Sequence, residues 1–260
     1  ENTTISGNNL GIAIDGTTAI GNIGRGIDIF STNNTKIGII GELQNVISSS
    51  ANEGIRLNGS LNTTIVNNMI GVDVSGTLDR GNATGIDITN SSNNTQIGDG
   101  TVNGRNIVSG SSGHGISIND SDGTMIMGNY IGLGSDGSTE LANNFGVLVD
   151  GTSANTHIGN GSAGGRNIIS ANTRGVQINN GPTYVYGNFI GTDLNGTADR
   201  GNQLAGVQIG GGTGSQVGGS STGNGNIISG NGWGIGVGVG GNDILGNYIQ
   251  AWLEDLEPQE

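Results

Sequence analysis

The chain has 260 residues, among them 54 glycines and no cysteine, and eight Lys plus Arg stand against 21 Asp plus Glu for a net charge of −13. The absence of cysteine excludes disulfides and thiolate metal sites, and the acidic balance argues against nucleic acid, whose phosphates need a basic face. No run of eighteen apolar residues is present to cross a membrane as a helix.

From the first strand onward the chain repeats itself. The dipeptide Leu10-Gly11 returns as Ile70-Gly71, Ile131-Gly132 and Ile190-Gly191, and a fifth copy starts at Ile249 and breaks at Gln250. The steps of 60, 61, 59 and 59 residues mark a repeat architecture, in which most recurring residues serve the fold. Within each copy a shorter phrase, Gly-apolar-x-apolar, occurs twice: Gly26-Ile27-Asp28-Ile29, then Gly54-Ile55-Arg56-Leu57, and so on to Gly234-Ile235-Gly236-Val237. This gives eight units of 28 to 31 residues. Each unit holds two further short runs, Thr-x-Ile (Thr35-Lys36-Ile37, Thr156-His157-Ile158) and Asn-apolar-Ile/Val (Asn106-Ile107-Val108, Asn167-Ile168-Ile169). Period-2 runs of β-branched residues, separated by Gly, Asn, Asp and Ser, are strands.

Three short strands per unit, each stacked on its counterpart, predict an all-β, right-handed, single-stranded parallel β-helix of about eight three-strand rungs over residues 1–250. Alternation puts the flanking apolar residues of each run inside and the middle residue outside. Asn8, Asn45, Asn68, Asn106, Asn129, Asn167, Asn188, Asn226 and Asn247 then form one column, read as a hydrogen-bonded amide ladder. Thr3, Thr35, Thr63, Thr95, Thr124, Thr156 and Thr183 form a second, continued by Ser215 and Asn242.

The phrases Asn188-Phe-Ile-Gly-Thr-Asp193, Gly196-Thr-Ala-Asp-Arg-Gly-Asn202 and Asn226-Ile-Ile-Ser-Gly-Asn231 resemble the repeats of bacterial secreted parallel β-helix proteins of the pectate-lyase-like superfamily. The resemblance covers residues 1 to about 250. It implies an extracellular or surface protein, and a group in which polysaccharide lyases, hydrolases and epimerases stand beside modules without chemistry.

The sequence offers little catalytic apparatus. Gly113-His114-Gly115 resembles a polygalacturonase segment, but the accompanying Asn-Thr-Asp, paired Asp-Asp and Arg-Ile-Lys motifs are missing. His114 also occupies a variable slot, filled elsewhere by Glu53, Arg174 and Trp233, and reads as a turn residue facing solvent. Asp28, Arg56 and Asp87 form an outward column that reads as an exposed ion-pair ladder. In the loop Asp193-Leu-Asn195-Gly-Thr-Ala-Asp199, the oxygens of Asp193, Asn195 and Asp199 are spaced somewhat as in a Ca²⁺ loop. A turn in which Asp or Asn bonds its own backbone explains the same residues.

The middle residues of the third run, Val46, Met69, Ile107, Tyr130, Ile168, Phe189, Ile227 and Tyr248, form an outward yet wholly apolar column. Tyr130, Phe189 and Tyr248 recur every second rung, about 9.6 Å apart, and are the candidate platforms for an extended polysaccharide. The competing expectation is that the longer loops fold back and cover the column.

Residues 251–260 abandon the repeat; Trp252, Leu253 and Leu256 before Pro258 read as a short helical cap, grafted or designed in composition. The uncapped start at Glu1 fits an excised fragment, or an end that stacks on another molecule. These observations favour a non-catalytic β-helix module, structural or binding extended polysaccharide. The alternatives are a lyase, hydrolase or epimerase, and an engineered or truncated scaffold without a ligand.

Overall fold

The computed structural model describes residues 2–250. They form a parallel β-solenoid of about eight turns whose strands fall into three sheets of eight, nine and nine, with every strand pair parallel. The eight-stranded sheet I collects the Gly-apolar-x-apolar runs, from Ile27–Phe30 to Trp233–Val237. Sheet II collects the Thr-x-Ile runs, from Thr4–Ile5 to Asp243–Leu245, and sheet III the Asn-apolar-Ile runs, from Asn9–Leu10 to Tyr248–Gln250. The expected cap at 251–260 lies outside the described residues.

The alternation of each run sets the core. On one rung Ile86 and Ile88 of sheet I, Ile97 of sheet II and Val108 of sheet III all point inward and are fully buried, and equivalent residues stack above and below them. Removing one such side chain to Ala costs about 2–5 kcal/mol, because the packed column cannot close over the hole.

Two hydrogen-bonded ladders fasten successive rungs. In the first, each Asn Nδ2 donates to the Oδ1 of the next, at 2.8–3.1 Å, in an unbroken series from Asn8 to Asn247. The same amides reach backbone carbonyls, as Asn106 Nδ2 does to Ile65 at 2.9 Å, so buried polar groups are satisfied where sheet III begins. The second ladder, Asn143–Asn172–Asn202–Asn231, runs where the chain enters sheet I, with amide links of 2.7–3.1 Å. Its Asn residues follow the long loops and short turns alternately, so no single phrase of the sequence displays them as a column.

The 60-residue period has a simple cause. Alternate rungs carry a long loop between sheets III and I, such as residues 71–83, and the rungs between them carry one between sheets II and III, such as residues 98–105. The anchor glycine marks where the first kind departs. A Cβ on Gly71, Gly132 or Gly191 would lie 1.9–2.1 Å from the carbonyl oxygen of Ser109, Ser170 or Ser229 on the next rung, and all three have φ between +79° and +92°. Only glycine meets both demands.

Candidate functional site

The apolar column on sheet III faces outward, as alternation requires, but most of it is covered. Val46, Ile107, Tyr130, Ile168 and Phe189 are each at most 8% exposed. With Val72, Leu133 and Leu141 of the long loops, all but Val46 make a satellite core outside the solenoid wall. Leu133 and Glu140 pair antiparallel within one loop, and Thr192 with Asp199 in another, folding each loop back over the column. From the other side Arg105 sets its guanidinium 4.0 Å from the centre of the Tyr130 ring, and Arg166 does the same at Phe189. Tyr130 and Phe189 are thus packing residues held between an arginine and a loop. Tyr248 differs: it is 78% exposed, and Gly225 stands where Arg105 and Arg166 stand four and two rungs earlier.

The aspartates of the long loops organise their own turns. Asp193 Oδ1 accepts N–H bonds from Thr197 and Ala198 at 2.9 and 3.0 Å, and its Oδ2 accepts one from Asn195 Nδ2 at 3.1 Å. Asp199 instead accepts from Gly201 at 2.8 Å. Hydrogen bonds to the ionised form hold the Asp193 carboxyl below the usual range against its partial burial, as they hold Asp73. In Asp15 and Asp136 the same kind of turn lowers the pKa to about 2. No group of three or more His, Cys, Asp and Glu residues is gathered for a metal among the described residues.

The outer face of sheet I brings together residues that the sequence treats separately. Asp28, Arg56 and Asp87 do stand on successive rungs in register. The close ion pairs, however, run through Arg25, whose Nε lies 2.6 Å from Glu53 Oε2 and whose Nη1 lies 3.4 Å from Asp28 Oδ2. Arg25 precedes the strand, so a column of strand residues could not reveal it. Partial burial and the charge of Glu53 push the Asp87 carboxyl up, while a hydrogen bond from Ser117 and the charges of Arg56 and Arg25 oppose that.

Further along the same face His114, Phe145 and Arg174 follow one another on adjacent strands, all half-buried. The His114 and Phe145 rings are 5.1 Å apart and tilted by 58°, and the Arg174 guanidinium lies 5.2 Å from the Phe145 ring on its other side. Burial lowers the His114 pKa, partly offset by the charge of Asp150. Beside this row stand Leu148, Gln177 and Gln208, and at the end of the sheet Trp233 is 47% exposed. His114, Arg174 and Trp233 are variants of one slot on alternate rungs, and Phe145, directly before Gly146, fills that slot on the rung between His114 and Arg174.

No family model matches the chain, and no curated protein matches it. Among solved structures, the Streptococcus pneumoniae surface protein and adhesin PfbA aligns with a TM-score of 0.51 and 13% identity over 95% of this chain and 73% of that one. An alginate lyase from Paenibacillus sp. strain FPU-7 aligns with a TM-score of 0.45 and 14% identity, over 96% of both chains. The A-module of the mannuronan C-5 epimerase AlgE6 of Azotobacter vinelandii aligns with a TM-score of 0.34 and 19% identity, over 93% of this chain and 68% of that one. The likeness to PfbA is one of fold, and fold alone leaves function to the site residues.

Proposed function

We propose that this chain is a non-catalytic, extracellular β-helix module that binds an extended polysaccharide along the outer face of sheet I. The observation that carries the reading is the run His114–Phe145–Arg174, with Gln208 beside it and Trp233 beyond: rings, an amide and a guanidinium aligned on one straight face. Such a set stacks on sugar rings and bonds their hydroxyls along a regular polymer. An arginine on an aromatic ring also presents its fork in a fixed plane. The fold likeness to a surface protein and adhesin supports the extracellular placement.

The non-catalytic part rests on the carboxylates of the same face. Glu53 and Asp28 are held by Arg25, and Asp87 is bonded by Ser117, so each is engaged by its neighbours. A second reading, cleavage or epimerisation of the bound chain, draws on one specific feature. Asp87 is raised toward neutral pH on the strand next to that of His114, whose lowered pKa keeps the imidazole neutral and able to accept a proton.

The deciding experiment is retention on immobilised polysaccharides with and without Ca²⁺, followed by assay of every retained glycan for new chain ends and unsaturated products. Retention that Arg174→Ala and Phe145→Ala weaken at least tenfold, without product, is the expected result. Product formation abolished by Asp87→Asn would replace the first reading with the second. Retention that needs Ca²⁺ would bring the Asp193 and Asp199 loop into the account.

A further inference from the structure

Sheet II carries a second outward face that the reading above leaves unused. The middle residues of its strands line up in register along the solenoid: Lys36, Thr64 and Gln96 in the first half, then Met125, His157 and Tyr184, with Gln216 beyond. One side of this face is walled. The long loops that leave sheet II on alternate rungs lean on one another and on the turns between them. Asn67 Nδ2 donates to the carbonyls of Ile39 and Glu42 at 2.9 and 3.0 Å, and its N–H donates to Gly104 at 3.3 Å. In the same way Gly128 donates to Gly165, and Gly187 to Asn224. Between wall and floor in the first half lies a cleft of about 430 Å³, lined by Lys36, Thr64 and Gln96 below and Ile39, Ile40 and Asp99 at the side.

In the second half the floor is aromatic. The His157 and Tyr184 rings stack at 4.7 Å and 26°, Tyr186 lies 5.9 Å from Tyr184, and its hydroxyl donates to Gln216 Oε1 at 2.5 Å. Rings stacked rung upon rung turn their edges outward, so this stretch offers hydroxyl and imidazole edges on an apolar base. Met125, 40% exposed, continues the base toward the cleft.

We propose that this walled face of sheet II is a second carbohydrate site, which takes a single extended chain of a neutral polysaccharide. The chemistry of the face selects the occupant. A peptide that joins a sheet as an added strand needs a free strand edge for its backbone, whereas this sheet face presents only side chains, here hydroxyls, amides and ring edges suited to a polyol. Lys36 and Asp99 lie on the same cleft and balance each other. A polyanion would meet no excess of positive charge there, and a chain of net charge −13 around it.

The test is affinity gel electrophoresis of the whole chain in soluble glucomannan, with polygalacturonate as the acidic comparison. Glucomannan is expected to retard the protein and polygalacturonate to leave it unmoved. Tyr184→Ala and Met125→Arg should each weaken glucomannan binding roughly tenfold, while Leu78→Ser, at an exposed position of a long loop outside both faces, leaves it unchanged. Met125 is a surface residue, so Met125→Arg should melt within about 2 °C of the parent and decides the matter if Tyr184→Ala does not fold. Mobility unchanged in glucomannan overturns the proposal, as does retardation by polygalacturonate alone. Retardation lost in Arg174→Ala and kept in both sheet II variants would place the binding on sheet I and leave sheet II without a site.

Discussion

Phe189 and Tyr248 occupy the same place on the outer side of sheet III, two rungs apart, yet one is 8% exposed and the other 78%. Their strands are built alike. The difference lies in what neighbouring rungs send over them: Arg166 and the turn at Gly196 close on Phe189, whereas Tyr248 stands on the last described rung, where even Ile249 is 52% exposed, and Gly225 supplies it with no guanidinium. In a solenoid the pattern within a strand fixes which way a side chain points. The loops of adjacent rungs fix whether it meets water. A periodic aromatic motif is therefore no measure of an open binding strip.

The comparison is broken most directly by truncating both rings. Phe189→Ala should cost about 3–5 kcal/mol, because it empties the centre of the satellite core, and Tyr248→Ala no more than about 0.5 kcal/mol. Urea unfolding followed by circular dichroism measures both. Equal losses would mean that Phe189 is not a packing residue in solution.

The inner ladder sets the scale for a residue repeated on every rung. Asn167 donates to Ile126 O and Asn188 Oδ1 and accepts from the backbone and side chain of Asn129. Asn167→Ala leaves several buried groups unpaired and should cost about 2–3 kcal/mol, with glycan retention unchanged at a temperature where the variant is folded. Loss of retention without loss of stability would mean that the column binds ligand.

These contrasts also show what the sequence could disclose. The three-strand rung, the inward Ile and Val columns and the Asn8 to Asn247 ladder are all legible, because each repeats at a fixed offset from a recognisable phrase. The covering of Tyr130 and Phe189 is only half legible. The folding back of the long loops is one of two readings the pattern allows, but the contribution of Arg105 and Arg166 depends on a side chain crossing to the next rung. The same limit hides Arg25 from the column of Asp28, Arg56 and Asp87, and hides the contact of Phe145 with His114 and Arg174. Register brings such residues to neighbouring rungs, but how a long side chain leans across the gap between them is set by packing, so these contacts come from coordinates alone.

A milder change sharpens the opening comparison. Arg166→Ala removes the cover from one face of Phe189 and leaves the ring in place, which should cost about 1 kcal/mol, near the value of a partly buried cation–π contact. It should also raise binding of an apolar dye, since it gives Phe189 part of the exposure that Tyr248 already has. Unchanged dye binding would show that the long loop alone suffices as cover.

The smallest effects are those of pH, and they act on the two proposed faces in a common direction. Burial lowers the pKa of His114 on sheet I and of His157 on sheet II. The folded state therefore resists protonation that the unfolded chain accepts near pH 6.5. The stabilisation is fully present above that value and is lost as pH falls through the lower folded values. Asp87 works the other way: its pKa is raised, so its contribution is present below the usual carboxylate range and lost as pH rises through the folded value. Asp87→Asn should accordingly raise the melting temperature at pH 7 and lose that advantage in acid. The double variant His114→Gln, His157→Gln should flatten the melting curve between pH 7 and pH 5, where the parent declines by a few degrees. A parent whose melting temperature rises over that interval would show that the two imidazoles gain partners for their charged forms on folding, and would contradict the burial of both rings.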